Sequence, residues 1–424
     1  MSGIALAILV GLNLGLIFLL MAAPLGRRTV RVSRHVAARP GLVWDALWPL
    51  GPKVDWSGEI LSSTAEAGDQ SRARLRLGWE GRDGQPIERL VALEDVEPGR
   101  RFVTRVVDDT SLDAAFWRDF SETVEIEPEG EGTRVVLGQS DHYRGLAFLA
   151  FRYFRLRRTL TGLARWAETG HKPARGRFEH PASQVGFAVL SALILWALFG
   201  FTAPGFMLAV VLTMVVALHE LGHMAAFRLM GHKRVRMIFV PILGGIAIGG
   251  RPYDSRFEVG FVALMGAGFS AFLVPLAIVV SSFASSAGNA RAAAGAAVFA
   301  GVLALFNLAN LVPVWRFDGG QVLRQICRSK AVLVASSFML LAAFMGVALI
   351  AGFGPRTVFV AGVVFAVLSL ITTGDKARPR HELKPVSRLD GMALGSALVA
   401  TFVIHATALI WLADRYPLAG SMSG

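Results

Sequence analysis

Residues 207–231 read MLAVVLTMVVALHELGHMAAFRLMG, a long apolar run with two histidines and a glutamate near its end. A helix projects His219 and His223 from the same face, because they are four positions apart. Neutral imidazoles at this spacing can hold one Zn²⁺, and Glu220 stands where a carboxylate can act as a general base. Ionisable groups inside a membrane span are costly and need a compensating partner, which a bound metal supplies. The stretch therefore predicts a metal-binding membrane helix; the alternative is a set of mutually hydrogen-bonded polar residues that pack helices together.

The composition of the 424-residue chain is that of a membrane protein. Hydrophobic residues make up 54% and charged residues 17%, which excludes a disordered chain and argues against a purely soluble enzyme. The single cysteine, Cys327, excludes an intramolecular disulfide and a cysteine-rich metal site. Apolar runs close to the length of a membrane crossing predict a multi-pass α-helical membrane protein with about eight spans. These runs cover residues 4–21, 185–201, 206–218, 259–281, 292–314, 331–351, 358–371 and 392–413.

Basic residues give the predicted spans an orientation. They follow the odd-numbered spans, for example at Arg27 and Arg28 after the first and at Lys376 and Arg378 after the seventh. The positive-inside rule then places the region between the first two spans in the cytoplasm and both termini outside. We expect a plasma-membrane protein whose partners include the lipid bilayer. Nucleic acid is not an expected partner, because no recognition motif accompanies the charge.

The polar region from about residue 26 to residue 180 is predicted to be a soluble α+β domain inserted between spans. Residues 72–79 alternate basic and apolar side chains with period two, which is typical of a half-buried strand. Further strands are predicted near 30–33, 101–107, 122–126 and 133–137. A short helix fits 41–50 and a long one fits 146–168, where Leu149, Leu156, Leu160 and Leu163 share a face.

This order of elements resembles the helix-grip fold of the polyketide cyclase and START-like lipid-transfer superfamily. The resemblance is carried by VRVSRHVAARPGLVWDAL at 30–47 and FRYFRLRRTLTGLARWAE at 151–168. It implies a cavity between the sheet and the long helix that can hold an apolar ligand. The alternative is a filled core with a scaffolding role. The arginines of the long helix favour equally a contact with anionic lipid headgroups and a solvated basic face.

A zinc site with two histidines needs a third protein ligand and an open position. The candidate ligand is Asp318, in NLANLVPVWRFDGGQVLR at 307–324, at the end of another apolar span. The topology places the ends of the two spans on the same side of the membrane. Taken alone, Asp318 could equally be a helix cap or an interfacial residue. Together with the histidine pair, it is predicted to complete the metal site.

At this point the chain resembles the site-2 proteases, a family of intramembrane zinc metalloproteases. The first matching block is HELGH at 219–223, and the second is NLVP at 310–313 followed by FDG at 317–319. The third is GHKRVRMIFVPILGGIAIG at 231–249, which is similar to the short β segment of the family. A weaker match is MGAGFSAF at 265–272, where Ala267 stands in place of a common proline.

The resemblance implies hydrolysis of peptide bonds in or near the transmembrane segments of membrane-protein substrates. His219, His223 and Asp318 would bind Zn²⁺, and Glu220 would be the catalytic base. The resemblance also implies that Asn310 binds the substrate backbone, for which a helix–helix hydrogen bond is the alternative. Gly244 and Gly245 lie in the segment expected to bind unwound substrate.

The resulting prediction is an intramembrane zinc metalloprotease of regulated intramembrane proteolysis. It has an anchor at 1–25, a cytoplasmic helix-grip domain at 26–180, a protease core at 181–330 and further transmembrane helices at 331–424. The soluble domain is expected to bind an apolar ligand or to recruit substrate. The alternative function is a non-proteolytic lipid-binding or transport protein on a degenerate protease scaffold. Of the other histidines, His232 is expected to be interfacial and His405 to be packed in the last span.

Overall fold

The computed structural model describes residues 11–12, 15–16, 18–20, 22–173, 180–240, 244–314, 317–372 and 380–416. The chain divides into two compact units. The first comprises Met1–Ala174 and Gly374–Glu382, and the second comprises Arg175–Thr373 and Leu383–Gly424.

The first unit is built on a seven-stranded antiparallel sheet with three helices. The strand order across the sheet is β1-β7-β6-β5-β4-β3-β2. The strands are β1 (Pro24–Val36), β2 (Ile60–Glu66), β3 (Asp69–Glu80), β4 (Pro86–Glu97), β5 (Arg101–Asp109), β6 (Ser121–Glu129) and β7 (Gly132–Arg144). The helices are α1 (Pro40–Leu47), α2 (Ala114–Trp117) and α3 (Leu146–Thr169), and a 3₁₀ turn covers Val54–Ser57.

The long helix α3 packs its leucine face against a core that is rich in aromatic rings. Leu156, Leu160 and Leu163 are buried together with side chains from α1 and from strands β1, β5, β6 and β7. The rings of Trp44 and Trp48 stack at 5.0 Å, and both meet Phe102 edge-on. These contacts build the helix-grip architecture expected from the sequence.

The sequence did not indicate β2, β4 or the four-residue helix α2, and the omission of the two strands has physical reasons. β2 is the edge strand of the sheet and is mostly exposed, so it lacks apolar alternation. In β4, Leu90 and Val91 are both buried, because the register with β5 shifts between them. A bulge of this kind moves later side chains to the other face and hides the period of two.

Within its described residues, the second unit contains helices and one β-hairpin. Its helices are α4 (Pro181–Leu198), α5 (Ala203–Leu229), α6 (Arg256–Ala271), α7 (Leu273–Ser286), α8 (Ala290–Leu311), α9 (Asp318–Ile326), α10 (Lys330–Ile350), α11 (Pro355–Thr372) and α12 (Arg388–Arg415). The hairpin pairs β8 (Arg236–Val240) with β9 (Gly244–Ile248) in antiparallel register.

Among the described residues, 6 helical stretches are long and apolar enough to cross a membrane. They are α4, α5, α6 with α7, α8, α10 and α12, which agree with six of the eight spans expected from the sequence. The described apolar part of α11, Pro355–Phe365, is shorter. Much of the expected first span, 4–21, lies outside the described residues. A multi-pass membrane protein is therefore supported, whereas eight spans are not shown.

Candidate metal centre

Three side chains from two helices converge inside the second unit. The Nε2 atom of His219 lies 3.1 Å from the Nε2 atom of His223, and Asp318 Oδ2 lies 3.1 Å and 3.6 Å from these two nitrogens. Four-coordinate zinc with bonds of about 2.0–2.1 Å separates neighbouring ligand atoms by about 3.3–3.5 Å. The three atoms therefore have the spacing of a metal-binding cluster.

The far side of each imidazole is held by a hydrogen bond that fixes its tautomer. The Nδ1 atom of His223 lies 2.7 Å from the carbonyl oxygen of Val262, which can only accept, so this nitrogen carries the proton. The Nδ1 atom of His219 lies 2.9 Å from Asn307 Oδ1. In the neutral histidines both Nε2 atoms then present lone pairs to the centre, as metal ligation requires.

Asn307 is oriented by two further acceptors. Its Nδ2 group donates to Ser270 Oγ at 3.0 Å and to the carbonyl of Leu303 at 2.9 Å. With both amide hydrogens used, the Oδ1 atom is left to accept the Nδ1 proton of His219. Asn307 is fully buried and was missed at the sequence level, because its partner is 88 positions away.

Asp318 reaches the centre because two glycines follow it. It is the first residue of α9 and is buried. A Cβ atom at Gly319 would collide with the carbonyl of Leu311, and one at Gly320 with the carbonyl of Val314. The start of α9 can therefore lie directly against the end of α8. Asp318 Oδ2 is buried and forms no hydrogen bond with any described residue.

Two more glycines bring α6 close to the histidine helix α5. A Cβ atom at Gly222 would collide with the carbonyl of Met265. A Cβ atom at Gly266 would lie 2.5 Å from His223 Nε2 and 2.7 Å from His219 Cε1. The match at 265–272 had indicated a family likeness around Gly266 but not this contact.

Glu220 follows His219 directly and contacts strand β9 of the hairpin. Its Oε2 atom accepts a hydrogen bond of 2.9 Å from the backbone N–H of Ala247 in β9. A Cβ atom at Gly245 would collide with the Glu220 side chain, so glycine allows this approach. Gly244 begins β9 with a φ of +103°, which favours glycine over other residues.

The remaining predicted site residue, Asn310, is not among these contacts. Its Nδ2 group donates to the carbonyl of Phe306 at 3.0 Å, one turn back in α8. The structure thus brings together His219, His223, Asp318 and Glu220, and it places Gly245 against Glu220. A substrate-binding role of Asn310, Gly244 and Gly245 stays a prediction.

His232 lies inside the second unit, although the sequence around it is a basic loop. It is buried, and its Nε2 atom lies 2.6 Å from Glu258 Oε1. The same carboxyl oxygen lies 3.0 Å from an Nη2 atom of Arg251. Burial lowers the pKa of His232, and the hydrogen bond that Glu258 accepts from the imidazole opposes this effect. The acidic partner, 26 positions away, explains why a histidine in a basic loop is inside the fold.

His405 is packed, as expected. It is fully buried in α12, and its Nε2 atom lies 3.2 Å from the carbonyl of Ala267.

Comparison with known proteins assigns the first unit. Residues 27–168 match the family described as polyketide cyclase/dehydrase and lipid transport, about a third of the chain. The N-terminal region is therefore a helix-grip domain of this family, as the sequence indicated. No curated protein matches the chain in sequence.

Several solved structures are similar to part of the chain. DynU16, from the dynemicin biosynthetic locus, is 22% identical with a TM-score of 0.27, and the match covers 35% of this chain and 49% of DynU16. DR_A0006 from Deinococcus radiodurans is 20% identical with a TM-score of 0.25, covering 34% of this chain and 99% of that protein. SSP2350 from Staphylococcus saprophyticus is 16% identical with a TM-score of 0.28, covering 35% and 98%. The chain thus spans about half of DynU16 and nearly all of the other two.

Proposed function

We propose that the protein is an intramembrane zinc metalloprotease of the site-2 type, with a helix-grip domain that binds an apolar ligand or recruits substrate. One observation carries the proposal. Two imidazole nitrogens and a carboxylate oxygen meet at 3.1–3.6 Å within apolar helices, next to a glutamate. Such a cluster is costly in a membrane unless a cation neutralises it.

The residues present fit zinc, and each has a distinct task. His219, His223 and Asp318 would hold the ion, while Asn307 and Val262 keep the imidazoles in the ligating tautomer. A zinc ion held there supplies Lewis acidity toward water and toward a peptide carbonyl. The Glu220 carboxylate accepts the proton of the attacking water and passes it to the leaving amine. The Ala247 N–H holds that carboxylate in place by donating a hydrogen bond to its Oε2 atom.

The hairpin β8–β9 is the proposed support for substrate. A transmembrane helix hides its peptide bonds, so the substrate has to unwind before it is cleaved. An extended stretch can add to a strand edge through backbone hydrogen bonds. Because β9 touches Glu220 through Ala247 and Gly245, substrate on this hairpin would lie near the base. We therefore propose a preference for substrates with helix-weakening residues.

For the helix-grip domain we propose an apolar ligand, in keeping with the lipid-transport description of its family. A ligand entering between the sheet and α3 has to displace part of the cluster of Trp44, Trp48 and Phe102. Titration with a fatty acid or a phospholipid should therefore change tryptophan fluorescence, and Phe102→Ala should alter the apparent affinity. A spectrum that stays constant with every lipid class would favour the scaffolding role.

The decisive experiment compares wild type with Glu220→Gln and Asp318→Asn, each purified as the full chain in detergent. Zinc content and cleavage of single-span substrates, with and without a central Gly-Pro pair, are measured on the same samples. We expect Glu220→Gln to keep its zinc and lose cleavage, whereas Asp318→Asn loses both. Glu168→Gln, at the exposed end of α3, is the matched control and should behave as wild type.

The same experiment separates the alternatives. Equal cleavage by wild type and Glu220→Gln would refute the proposed base. Zinc bound at one equivalent without cleavage of any substrate would favour the non-proteolytic lipid-binding or transport protein. The proposed cytoplasmic position of the helix-grip domain is tested by the accessibility of single cysteines to an impermeant reagent in intact cells.

A further inference from the structure

The first turns of α3 expose an unusual density of aromatic side chains. Phe151 is 64% exposed and Phe154 is 62% exposed, and Phe148 follows with 48%. Tyr153 and Leu146 are also exposed. By contrast, the later residues Leu156, Leu160 and Leu163 are buried in the core. We call Phe148, Phe151 and Phe154, which are spaced three residues apart and therefore share one face of the helix, the aromatic patch.

Helical geometry places the centre of the aromatic patch away from the domain core. With about 100° per residue, Phe151 and Phe154 lie nearly opposite Leu156 and Leu160. Their exposure is therefore a consequence of the helix face they occupy and not of a frayed end. Contiguous exposed apolar surface of this kind marks an interaction site in a soluble domain.

Arginines interleave with the aromatic patch. α3 contains Arg152, Arg155, Arg157, Arg158 and Arg165 and a single acidic residue, Glu168. Arg152 is fixed to the domain, 3.6 Å from an Asp141 oxygen and above the ring of Phe120. Arg155 and Arg157 are exposed beside the aromatic rings.

The aromatic patch begins where the apolar N-terminal segment ends. The N–H of Gly145, directly before α3, donates to the carbonyl of Ala23 at 2.8 Å. Ala23 in turn donates to the carbonyl of Phe18. The described large side chains of that preceding segment are exposed and apolar: Leu12, Leu16, Phe18, Leu19 and Leu20. The hydrogen bond between Gly145 and Ala23 therefore places the start of α3 next to the end of this apolar segment.

We propose that the aromatic patch is a lipid-docking surface, which inserts into the interface of an anionic bilayer leaflet while Arg155 and Arg157 contact the headgroups. Aromatic rings prefer the boundary between hydrocarbon and water, and arginine stems lie along apolar surface with the charge in the headgroups. A bilayer is favoured over a protein partner because the exposed apolar segment that ends near Ala23 is hydrogen-bonded to the residue directly before α3. The docking surface is independent of the metal centre and of the protease proposal.

The test measures where these side chains lie in the reconstituted full-length protein. In a Cys327→Ser background, a single cysteine replaces Phe151 or Phe154 and carries an environment-sensitive fluorophore. Controls carry the fluorophore at Glu168, at the far end of the same helix, or at Glu131, in the exposed turn between β6 and β7. Vesicles contain phosphatidylcholine with or without phosphatidylglycerol, and quenching by nitroxide-labelled lipids is compared with quenching by aqueous iodide.

We expect lipid quenching at Phe151 and Phe154 to exceed that at both controls by roughly twofold or more in anionic vesicles, with iodide quenching reduced. Iodide quenching as strong as at the controls would mean a solvated helix and would overturn the proposal. Shielding from both quenchers would also overturn it, because a protein partner would then cover the surface.

A second arm tests the charge. Arg155→Glu with Arg157→Glu should lower lipid quenching at Phe151 in anionic vesicles and abolish its dependence on phosphatidylglycerol. Arg165→Glu, on the same helix beyond the aromatic patch, is the matched control and should have little effect. Lipid quenching that is unchanged by the double reversal would refute an anionic leaflet as the partner. Circular dichroism of each variant confirms that the helix-grip domain is folded.

Discussion

Gly266→Ala is the sharpest test of the proposed metal centre. The new Cβ atom would lie 2.5 Å from both Cε1 and Nε2 of His223 and 2.7 Å from Cε1 of His219. Ordinary contacts begin at 3.4 Å, so the His223 ring has to retreat by about 0.9 Å and the His219 ring by about 0.7 Å. Both displacements exceed the tolerance of a designed metal site, which is about 0.5 Å.

The matched control is Gly268→Ala, two residues further along α6. A Cβ atom there would meet Thr401 Oγ1 at 3.7 Å and Leu264 Cγ at 4.0 Å, which are ordinary contacts. Both variants gain helix propensity of about 1 kcal/mol, so this effect cancels in the comparison. Only Gly266→Ala crowds the imidazoles.

The assay is a zinc competition titration against a chromogenic chelator, with the full chain in detergent. We expect Gly266→Ala to weaken zinc binding about 10- to 100-fold, or about 1.4–2.7 kcal/mol, which is the loss seen when the groups that orient metal ligands are mutated. Gly268→Ala should bind zinc as wild type does. Unchanged affinity in Gly266→Ala, or an equal loss in both variants, would refute the reasoning.

Three other predictions concern the same unit. Asn307→Ala should weaken zinc binding about tenfold, because His219 loses the acceptor that fixes its tautomer, whereas Asn310→Ala should leave zinc binding unchanged in the same titration. Chelation of zinc should abolish cleavage and lower the melting temperature, and zinc at about 100 times its Kd should restore about 2.7 kcal/mol of stability; a melting temperature indifferent to zinc would contradict a metal site. With the pKa of His232 lowered by burial, the folded chain binds this proton less readily than the unfolded chain, so stability should fall as pH drops below about 6.5. Thermal melts in chelator should show a smaller pH dependence for His232→Gln, which keeps a donor for Glu258, and an identical dependence would contradict the prediction.

The sequence predicted the parts of the centre whose signal is local. His219 and His223 are one helical turn apart, and Glu220 is adjacent, so spacing alone identifies them. The prediction of Asp318 as the third ligand also depended on the predicted membrane topology and on the two glycines that follow it. Asn307 and Gly266 were missed as site residues because their contacts depend on how α8 and α6 pack against α5, which no spacing within one segment encodes.

In the helix-grip domain, too, the sequence predicted the elements with a local periodic signal and missed those without one. The long α3 was predicted at its observed start because its leucines repeat with the helical period over about four turns. The edge strand β2 and the bulged strand β4 were missed because neither keeps a period of two over its length. The burial of His232 is linked to its contact with Glu258 on another element, which the composition around the histidine does not reveal.

The arrangement of the three donor atoms also bears on the alternative in which polar residues only hydrogen-bond each other. Val262 and Asn307 occupy the protonated nitrogens of His223 and His219, so the neutral rings have no hydrogen left to share at the centre. Two lone pairs would then face each other at 3.1 Å with a buried carboxylate oxygen beside them. One added proton can bridge a single pair of these atoms, whereas one divalent cation attracts all three. The helix-packing alternative therefore leaves at least one buried acceptor without a partner, at a cost of about 1–3 kcal/mol, and the metal-bound arrangement does not.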